Sequence, residues 1–286
     1  MTTMPTRRLG GLEVGAVGLG EMPMSLAGRP DEARAVRTIH AALDAGVTLI
    51  DTADAYCRDD SDFGHGERLV AKALAAWSGD RDRVLVATKG GHTRPRGDWG
   101  LDGRPEYLRQ ACEASLRALG VEAIGLYQFH RPDPKVPFAE SVGAMAELKA
   151  AGKVRLVGLS NVSVDQIRQA RQLVEVASVQ NEFSPRFRRS EGELAFCAAN
   201  RIAFLPWSPL GGIGRGRDLG GRHRAFAEVA EAHGVSPQRV ALAWELAKAP
   251  VVIPIPGARR PETITDSAAA TSLRLSADEL ARLDSY

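Results

Sequence analysis

The sequence has little cysteine, and its three thiols, Cys57, Cys112 and Cys197, are far apart in the chain. An odd number of distant cysteines provides neither a disulfide framework nor the close pairs of a zinc site. Free thiols are typical of a reducing compartment. The first residues, MTTMPTRRLGG, also lack the apolar stretch of a secretory signal. We therefore expect a cytoplasmic protein.

Long hydrophobic runs and an excess of charge of either sign are also absent. The longest apolar runs are far shorter than the ~20 residues that a transmembrane helix needs. The 37 basic and 35 acidic side chains leave a formal net charge of only +2, whereas a nucleic-acid-binding domain usually carries a strongly basic face. We therefore expect no membrane span and no nucleic-acid partner.

Eight short apolar runs alternate with amphipathic stretches along the whole chain. Each run is rich in valine, isoleucine and leucine, as parallel strands buried on both faces are. The runs occupy residues 14–20, 47–50, 83–88, 124–129, 154–159, 176–180, 202–206 and 251–256. Eight strands, each followed by helical material, predict an α/β fold of the (β/α)8 TIM-barrel type in one domain over residues 1–286.

Local signals refine this prediction at several points. Residues 7–15 are expected to form a small hairpin ahead of the first barrel strand, and residues 211–249 a loop followed by two helices. Gly46 and Gly120 are suited to end helices in the left-handed conformation. Ser236 is an expected N-cap, and Ser276 with Glu279 three residues later has the form of a capping box.

Polar residues follow the apolar runs at the positions where barrel strands should end. In such barrels the chemistry is built at the C-terminal ends of the strands, where the loops converge. The residues at these ends are Asp51, Lys89, His130, Ser160, Asn161, Gln180, Trp207 and Ser208. Each one alone has an ordinary structural explanation, such as a loop cap or a surface charge. Together, at successive strand ends, they indicate a functional site.

Asp51 lies only five residues before Tyr56 in the stretch LIDTADAY. A free tyrosine has a pKa of about 10 and is a poor acid near neutrality. A nearby ammonium such as that of Lys89 would lower this pKa, and Asp51 would hold the ammonium charged and oriented. His130 would then hydrogen-bond the polar oxygen of the substrate. Asp51, Lys89 and Tyr56 therefore form a candidate acid–base relay, with His130 beside it.

The loop at residues 57–67 collects several side chains that can bind metals, namely Cys57, Asp59, Asp60, Asp62 and His65. Clustered acids in a loop are usually solvated, and the acid–base relay needs no metal. We therefore expect no metal site.

The strand-end residues are set in stretches that resemble the aldo-keto reductase family over essentially the full length of the chain. The matching stretches are GLGEMPMS, GVTLIDTADAY, VATKGG, LYQFHRPD, GKVRLVGLSN, VQNEFSP, WSPLGG and IPIPGARRPE. Their order and spacing make the resemblance specific. It implies a barrel whose bottom is closed by a hairpin, and an extended NADP(H) cofactor bound without a Rossmann fold.

The resemblance also implies a role for individual residues. The catalytic tetrad would be Asp51, Tyr56, Lys89 and His130, with Tyr56 as proton donor. Ser160, Asn161 and Gln180 would hold the nicotinamide amide, and Trp207 would stack on the nicotinamide ring. The further cofactor-binding residues would be Glu21, Met22, Asp51, Ser208, Pro209, Leu210, Gly212, Arg215, Gly257, Arg259, Arg260 and Asp266.

The identity of the nucleotide depends on the end of the chain. Arg259 and Arg260 could grip a 2′-phosphate, which favours NADP(H). Relatives often carry an arginine, a glutamate and an asparagine further along, where this chain has Thr263, Asp266 and Ser267. This departure leaves NAD(H) as the less favoured alternative.

The predicted function is NADPH-dependent reduction of an aldehyde or ketone, a small-molecule carbonyl substrate. One alternative is a regulatory subunit that binds NADP(H) with little turnover, like the channel β-subunits that share the fold. A second is a lyase or isomerase that uses Lys89 as a Schiff base. The tail is short and ends in LARLDSY soon after the last predicted helix begins, which suggests an open pocket that could take a bulky, sugar-like or vitamin-like aldehyde. The sequence carries no signal for an oligomeric state.

Overall fold

The computed structural model describes residues 4–285 and begins with a β-hairpin. Strands β1 (Thr6–Leu9) and β2 (Leu12–Gly15) pair antiparallel across Gly10 and Gly11. Both glycines have positive φ angles, 54° and 88°, as a two-residue turn of this kind requires. Leu9 and Val14 of the hairpin pack against inward-facing residues of the parallel strands described below. The hairpin therefore closes one end of the barrel, as expected.

Seven parallel strands form the main sheet in an order that follows the chain. They are β3 (Leu19–Gly20), β4 (Leu49–Asp51), β5 (Leu85–Gly90), β8 (Ile124–Phe129), β9 (Val154–Ser160), β10 (Val176–Gln180) and β11 (Ala203–Phe204). The remaining two strands, β6 (His92–Thr93) and β7 (Gly100–Leu101), make a small hairpin after β5 that the sequence analysis did not predict.

The eighth position in the barrel is filled by the extended segment 251–257. On one side Ile253 donates its backbone N–H to Phe204 at 2.8 Å, and on the other side Gly18 donates to Pro254 at 2.9 Å. Pro254 and Pro256 have no N–H, so the segment offers only carbonyls to the chain around β3. The sheet therefore closes into a barrel, although 251–256 is not the regular strand that was predicted. The first strand is likewise shorter than predicted, because residues 14–15 belong to the hairpin.

Eleven helices are present within residues 4–285, most of them on the outside of the barrel. They are α1 (Glu32–Asp44), α2 (His65–Ala76), α3 (Pro105–Leu119), α4 (Phe138–Ala150), α5 (Val164–Ala170), α6 (Glu191–Asn200), α7 (Leu219–Arg222), α8 (Arg224–His233), α9 (Pro237–Lys248), α10 (Pro261–Ala268) and α11 (Ala277–Asp284). None of these helices is long and apolar enough to cross a membrane.

The predicted helix ends are confirmed. Ser236 caps α9 by accepting a hydrogen bond from the backbone N–H of Arg239, and Ser276 with Glu279 forms the capping box of α11. Gly120 ends α3 with a φ of 67°. Apolar side chains fill both the space between the sheet and the helices and the inside of the barrel. This packed core leaves the polar strand ends together at one rim.

Helix α2 lies unusually close to the loop that follows β4. A Cβ atom added to Gly66, in the first turn of α2, would lie 2.4 Å from Glu21 Oε2 and 2.5 Å from Thr52 Oγ1. We therefore expect Gly66→Ala to lower the free energy of unfolding by about 1–3 kcal/mol, because the buried site is already full. Urea denaturation measures the change.

Gly143→Ala is the matched control for this prediction. Gly143 lies inside α4, and a Cβ added there would meet no atom within 4 Å. Alanine favours a helix interior by up to about 1 kcal/mol over glycine, so this variant should be as stable as the wild type or more stable. Equal effects of the two substitutions would show that α2 does not pack as closely as described.

Candidate active site

Lys89 lies at the centre of the polar rim and is completely buried. Strands β4 and β5 are neighbours in the sheet, so Asp51 and Lys89 at their ends point into the same space. The Nζ of Lys89 lies 2.6 Å from Oδ2 of Asp51, 3.0 Å from the phenol oxygen of Tyr56 and 2.9 Å from the carbonyl of Thr52. All three donor positions of the ammonium are therefore used.

The ammonium of Lys89 is held in its charged form by these partners. Burial alone would lower the pKa of Lys89, but the charge of Asp51 and the contact with Tyr56 outweigh burial and raise it. Removing one partner of such a buried ion pair typically costs about 3–5 kcal/mol, because the other charge is left uncompensated. The loop after β4, which carries Tyr56, is thus fixed by an interaction that is costly to break.

The phenol of Tyr56 does not have the lowered pKa that the sequence suggested. Burial raises the pKa of Tyr56, and the charge of Lys89 offsets only part of this effect. The side chain is 6% exposed, so water does little to solvate a phenolate. Tyr56 is therefore a protonated phenol at neutral pH, with an ammonium in place to stabilise the phenolate when the proton leaves.

His130 follows strand β8 and faces Tyr56. The two ring centroids lie 5.7 Å apart in an edge-to-face arrangement. Burial, and then the charge of Lys89, hold the pKa of His130 well below its usual range, so the imidazole is neutral. Its Nδ1 is buried and has no hydrogen-bond partner among residues 4–285. The structure thus brings together all four residues of the predicted tetrad.

Two glutamines hold the remaining oxygen of Asp51. Gln128 and Gln180 donate to its Oδ1 at 3.0 and 2.8 Å. Gln128 was not among the predicted site residues, although an amide inside the apolar run IGLYQF, here fully buried, is a signal that could have identified it. Gln180, predicted to bind the cofactor, turns its amide nitrogen towards Asp51. The carboxylate of Asp51 is therefore oriented through both oxygens.

Ser160, Asn161 and Trp207 form a connected group next to His130. The amide nitrogen of Asn161 donates to the carbonyl of His130 and to Ser160 Oγ, both at 3.0 Å. The indole of Trp207 donates to Oδ1 of Asn161 at 3.2 Å. Asn161 adopts a positive φ of 59°, a conformation in which asparagine is more common than most residues. These contacts fix the half-buried indole beside the tetrad.

The residues predicted to bind the rest of the nucleotide lie along the same rim. Met22 begins a short 3₁₀ helix directly after β3, and Gly257 pairs with Gly20. The loop that follows Trp207 contains Ser208, Pro209, Leu210, Gly212 and Arg215. A Cβ added to Gly257 would lie 2.6 Å from the ring of Pro23, so glycine leaves the space that the Pro23 side chain occupies.

The charges of this rim suit an anionic dinucleotide. Arg215, Arg259 and Arg260 form no ion pair with any carboxylate in residues 4–285, and Arg259 donates only to the carbonyl of Pro23. Unpaired guanidinium groups in a mouth with glycine-rich backbone are the donor set that phosphates require. These residues therefore fit the cofactor that the sequence predicted.

Asp266 differs from this pattern, because its carboxylate is already occupied by protein groups. Oδ1 accepts two hydrogen bonds from Arg239, at 2.6 and 3.1 Å, and Oδ2 accepts one from Ser236. In the described conformation Asp266 positions Arg239 and offers no free oxygen to a ligand. Its predicted contact with the cofactor stays a prediction.

The side chains of the loop at 57–67 are engaged separately. Asp62 forms an ion pair with Arg29 at 2.5 Å, Asp59 caps a short helical turn, and His65 contacts Ser25 at 2.8 Å. Within the described part of the chain, no group of three or more His, Cys, Asp or Glu side chains could hold a metal ion.

Glu21 lies behind the tetrad and is fully buried. Its carboxylate accepts hydrogen bonds from Ser25 and, at 3.0 Å, from Thr52, whose carbonyl in turn accepts from Lys89. Burial raises the pKa of Glu21 to about 7, against the opposing effect of these hydrogen bonds. Glu21 was predicted as a cofactor contact; its carboxylate is occupied by Ser25 and Thr52 and lies against Gly66 of α2, and the cofactor contact stays a prediction.

The chain is similar in sequence to proteins of a known family. A family model for the aldo/keto reductase family matches residues 14–286. A 6-dehydroglucose reductase from Novosphingobium aromaticivorans is 36% identical over 279 residues, which cover 94% of this chain and 90% of the relative.

Two solved structures have the same fold. The structure of a glycerol dehydrogenase from Gluconobacter oxydans matches with a TM-score of 0.84 and 30% identity, over 98% of this chain and 94% of the other. An aldo/keto reductase from Klebsiella pneumoniae, solved with NADP and acetate, matches with a TM-score of 0.81 and 29% identity, over 99% and 95% of the two chains.

The chain belongs to the aldo-keto reductase family. The predictions of family, of barrel architecture and of an oxidoreductase are therefore confirmed.

The buried Glu21 of this aldo-keto reductase should make its stability depend on pH. An acid whose pKa is raised from 4.5 to about 7 on folding binds more protons folded than unfolded between these values. Stability therefore falls as pH rises through this window, by up to about 3 kcal/mol. Glu21→Gln has no group that titrates at this position. The free energy of unfolding of the variant should therefore increase relative to that of the wild type as the pH rises from 4.5 to 8.

Urea denaturation at several pH values measures this gain. The exposed Glu122, which has no partner among the described side chains, supplies the control, and Glu122→Gln should follow the wild type at every pH. A stability difference between Glu21→Gln and the wild type that is the same at pH 5 and pH 8 would contradict the assignment.

Proposed function

We propose that this aldo-keto reductase reduces a small aldehyde or ketone to an alcohol with NADPH, and that Tyr56 gives the proton. The observation that carries the proposal is the buried ammonium of Lys89, which lies 3.0 Å from the phenol oxygen of Tyr56 and 2.6 Å from Asp51. The Klebsiella pneumoniae relative crystallised with NADP supports the choice of cofactor.

Each residue of the tetrad has a separate task in this reaction. When NADPH is bound, its nicotinamide would supply the hydride for the carbonyl carbon. Tyr56 donates its proton to the carbonyl oxygen, and Lys89 stabilises the phenolate that remains. Asp51 keeps Lys89 charged and in place. The neutral His130 can hydrogen-bond the same oxygen, since its ring is within 5.7 Å of the Tyr56 ring.

The protonation state of Tyr56 favours reduction near neutral pH. Reduction requires the phenol, whereas oxidation of an alcohol requires the phenolate as the base. Because burial raises the pKa of Tyr56, the phenol dominates at neutral pH. We therefore expect the reduction rate to be insensitive to the ionisation of Tyr56 below pH 9, and alcohol oxidation to speed up as pH rises.

The remaining proposed cofactor contacts are those of Trp207, Arg259 and Arg260. Trp207, fixed by Asn161 at 3.2 Å, presents an aromatic face for the nicotinamide. Arg259 and Arg260, which form no ion pair among residues 4–285, would bind the 2′-phosphate that distinguishes NADPH from NADH. The three cysteines are free and buried, which supports a location in the reducing cytoplasm.

Tyr56→Phe tests the proposed function directly. The substitution removes one oxygen and keeps the ring that packs in the site, so NADPH binding should stay within about twofold of the wild type. The turnover number for the best substrate should fall by at least the 10²–10⁴-fold that general acid catalysis contributes. Binding is followed by fluorescence, and turnover by the loss of NADPH absorbance with a panel of aldehydes and ketones.

The same measurements separate the alternatives. A Tyr56→Phe variant that binds NADPH and still reduces its best substrate at nearly the wild-type rate would contradict the mechanism. A wild type that binds NADPH tightly but reduces no carbonyl of the panel would indicate a regulatory NADP(H)-binding subunit instead. Borohydride trapping of a carbonyl on Lys89 would indicate Schiff-base chemistry.

A further inference from the structure

Gln128 lies on strand β8 inside the barrel and is completely buried. Its amide nitrogen donates to Oδ1 of Asp51 at 3.0 Å, and its amide oxygen accepts from the amide nitrogen of Gln180 at 3.2 Å. Burying an amide costs free energy unless it is hydrogen-bonded, and these two contacts offset that cost. No other polar group among residues 4–285 contacts the Gln128 side chain. Gln128 therefore affects the site only through Asp51 and Gln180.

The neighbouring strand leaves space for this contact. Gly158 of β9 lies opposite Gln128 in the sheet. A Cβ atom added to Gly158 would lie 2.9 Å from Cγ of Gln128 and 2.4 Å from Oγ of Ser178 on β10. Because β9 has no side chain at this position, Gln128 of β8 and Gln180 of β10 meet across it. The contact is therefore part of the packing of the barrel strands and does not depend on a loop.

The two glutamines differ in what they can reach. Gln180 also donates to Oδ1 of Asp51, at 2.8 Å. The amide oxygen of Gln180 accepts no hydrogen bond among residues 4–285 and does not belong to the buried atoms without a partner. This oxygen is therefore accessible to a ligand, as the predicted contact of Gln180 with the nicotinamide amide requires. Gln128 is fully buried, so it stays on Asp51 whether or not Gln180 holds a cofactor.

The carboxylate of Asp51 affects the phenol of Tyr56 through Lys89. Burial raises the pKa of Tyr56, the charge of Lys89 lowers it, and the charge of Asp51 raises it further. A hydrogen bond to Oδ1 spreads the negative charge of Asp51 and holds the other oxygen on the ammonium. Without this donor, the charge of Asp51 acts more strongly on the phenolate. We therefore expect the loss of Gln128 to raise the pKa of Tyr56.

We propose that Gln128 is a positioning residue for the reduction: it holds the carboxylate of Asp51 so that Lys89 can stabilise the phenolate. The proposal rests on the proposed carbonyl reduction and adds to it a residue that touches neither the substrate nor the cofactor. The effect of Gln128 should therefore appear in kcat and in its dependence on pH, and not in the affinity for the cofactor.

Gln128→Met tests this role, because methionine fills the same space and donates no hydrogen bond. At pH 7 the kcat for reduction should fall by at least about 10-fold, as expected for a lost hydrogen bond to a charged group. KM and the dissociation constant of NADPH, measured by fluorescence, should stay within about threefold of the wild type, since Gln180 and Trp207 remain. The rise of alcohol oxidation with pH should move to higher pH.

Gln128→Glu distinguishes positioning from packing, because it makes the donor titratable. The new carboxyl group lies within hydrogen-bond distance of Asp51 and has a raised pKa, because two adjacent buried carboxylates repel each other. In its protonated form it donates to Asp51 as the amide does. Relative to the wild type at the same pH, kcat should be within about threefold at pH 5.5 and at least about 10-fold lower at pH 8.5, where the donor is lost.

The same variant gives a readout without cofactor or substrate. Relative to the wild type, the free energy of unfolding of Gln128→Glu should fall as the pH rises from 5.5 to 8.5, because an acid with a raised pKa binds more protons folded than unfolded. The charge of Asp51 also affects the pKa values of Glu21, Tyr56 and Lys89. These groups are present in every variant, so the comparison with the wild type is made at equal pH.

Gln172 supplies the control. It is exposed in the turn after α5, and its side chain has no partner among the described residues. Gln172→Met and Gln172→Glu make the same chemical changes away from the site, and both should follow the wild type in kcat at each pH.

Each other outcome contradicts the inference in a recognisable way. A wild-type kcat and pH profile in Gln128→Met would overturn it and leave carbonyl reduction intact. The same holds if Gln128→Met and Gln128→Glu lose equal activity at both pH values, since Gln128 would then only fill space. An unfolding free energy of Gln128→Glu that follows the wild type at every pH would show that the side chain does not contact Asp51. If the wild type reduces no carbonyl, the proposed function fails, and this inference fails with it.

Discussion

The buried ion pair between Lys89 and Asp51 is the constraint on which the rest of the site depends. An ammonium inside a barrel, with no exposure to water, is stable only when its charge is compensated and its three donors are used. Asp51, Tyr56 and the carbonyl of Thr52 meet this requirement. The position of the Tyr56 phenol, which we propose as the proton donor, therefore follows from the need to hydrogen-bond a buried ammonium without water.

The groups behind this pair follow from the same requirement. Asp51 needs donors for its second oxygen, which Gln128 and Gln180 supply from inside the barrel. Thr52, held by Lys89 through its carbonyl, donates its hydroxyl group to the buried Glu21. The polar side chains thus form connected layers from the barrel interior to helix α2, and the loop that carries Tyr56 is held on both sides. Such support is what keeps a catalytic group in a productive geometry.

Much of the fold could be predicted from the sequence because its signals are local. The apolar runs and helix caps of a (β/α)8 barrel depend on a few neighbouring residues, as Ser236 and Ser276 show. The conformation of the eighth barrel segment was harder to predict, because Pro254 and Pro256 lack the N–H groups that a regular strand uses. The hairpin of β6 and β7 is too short to produce a periodic pattern.

The candidate site was predictable in its composition but not in its electrostatics. Strand ends identified Asp51, Lys89 and His130, because parallel strands bring their C-terminal ends together. The predicted lowering of the Tyr56 pKa was wrong, because burial of the ring raises this pKa and a sequence does not show how deeply a ring is buried. The occupied carboxylate of Asp266 is likewise set by tertiary contacts. A sequence shows which charges are present, but not which of them find partners.

The measurement that tests this account most directly is a double-mutant cycle on Asp51 and Lys89, with the free energy of unfolding measured at pH 7. Asp51→Asn leaves a buried ammonium without its counterion and should cost about 3–5 kcal/mol. Lys89→Met in the same chain removes that charge, so the double variant should be more stable than Asp51→Asn alone. If the two substitutions are simply additive, or if Asp51→Asn has no effect, the pair does not organise the site.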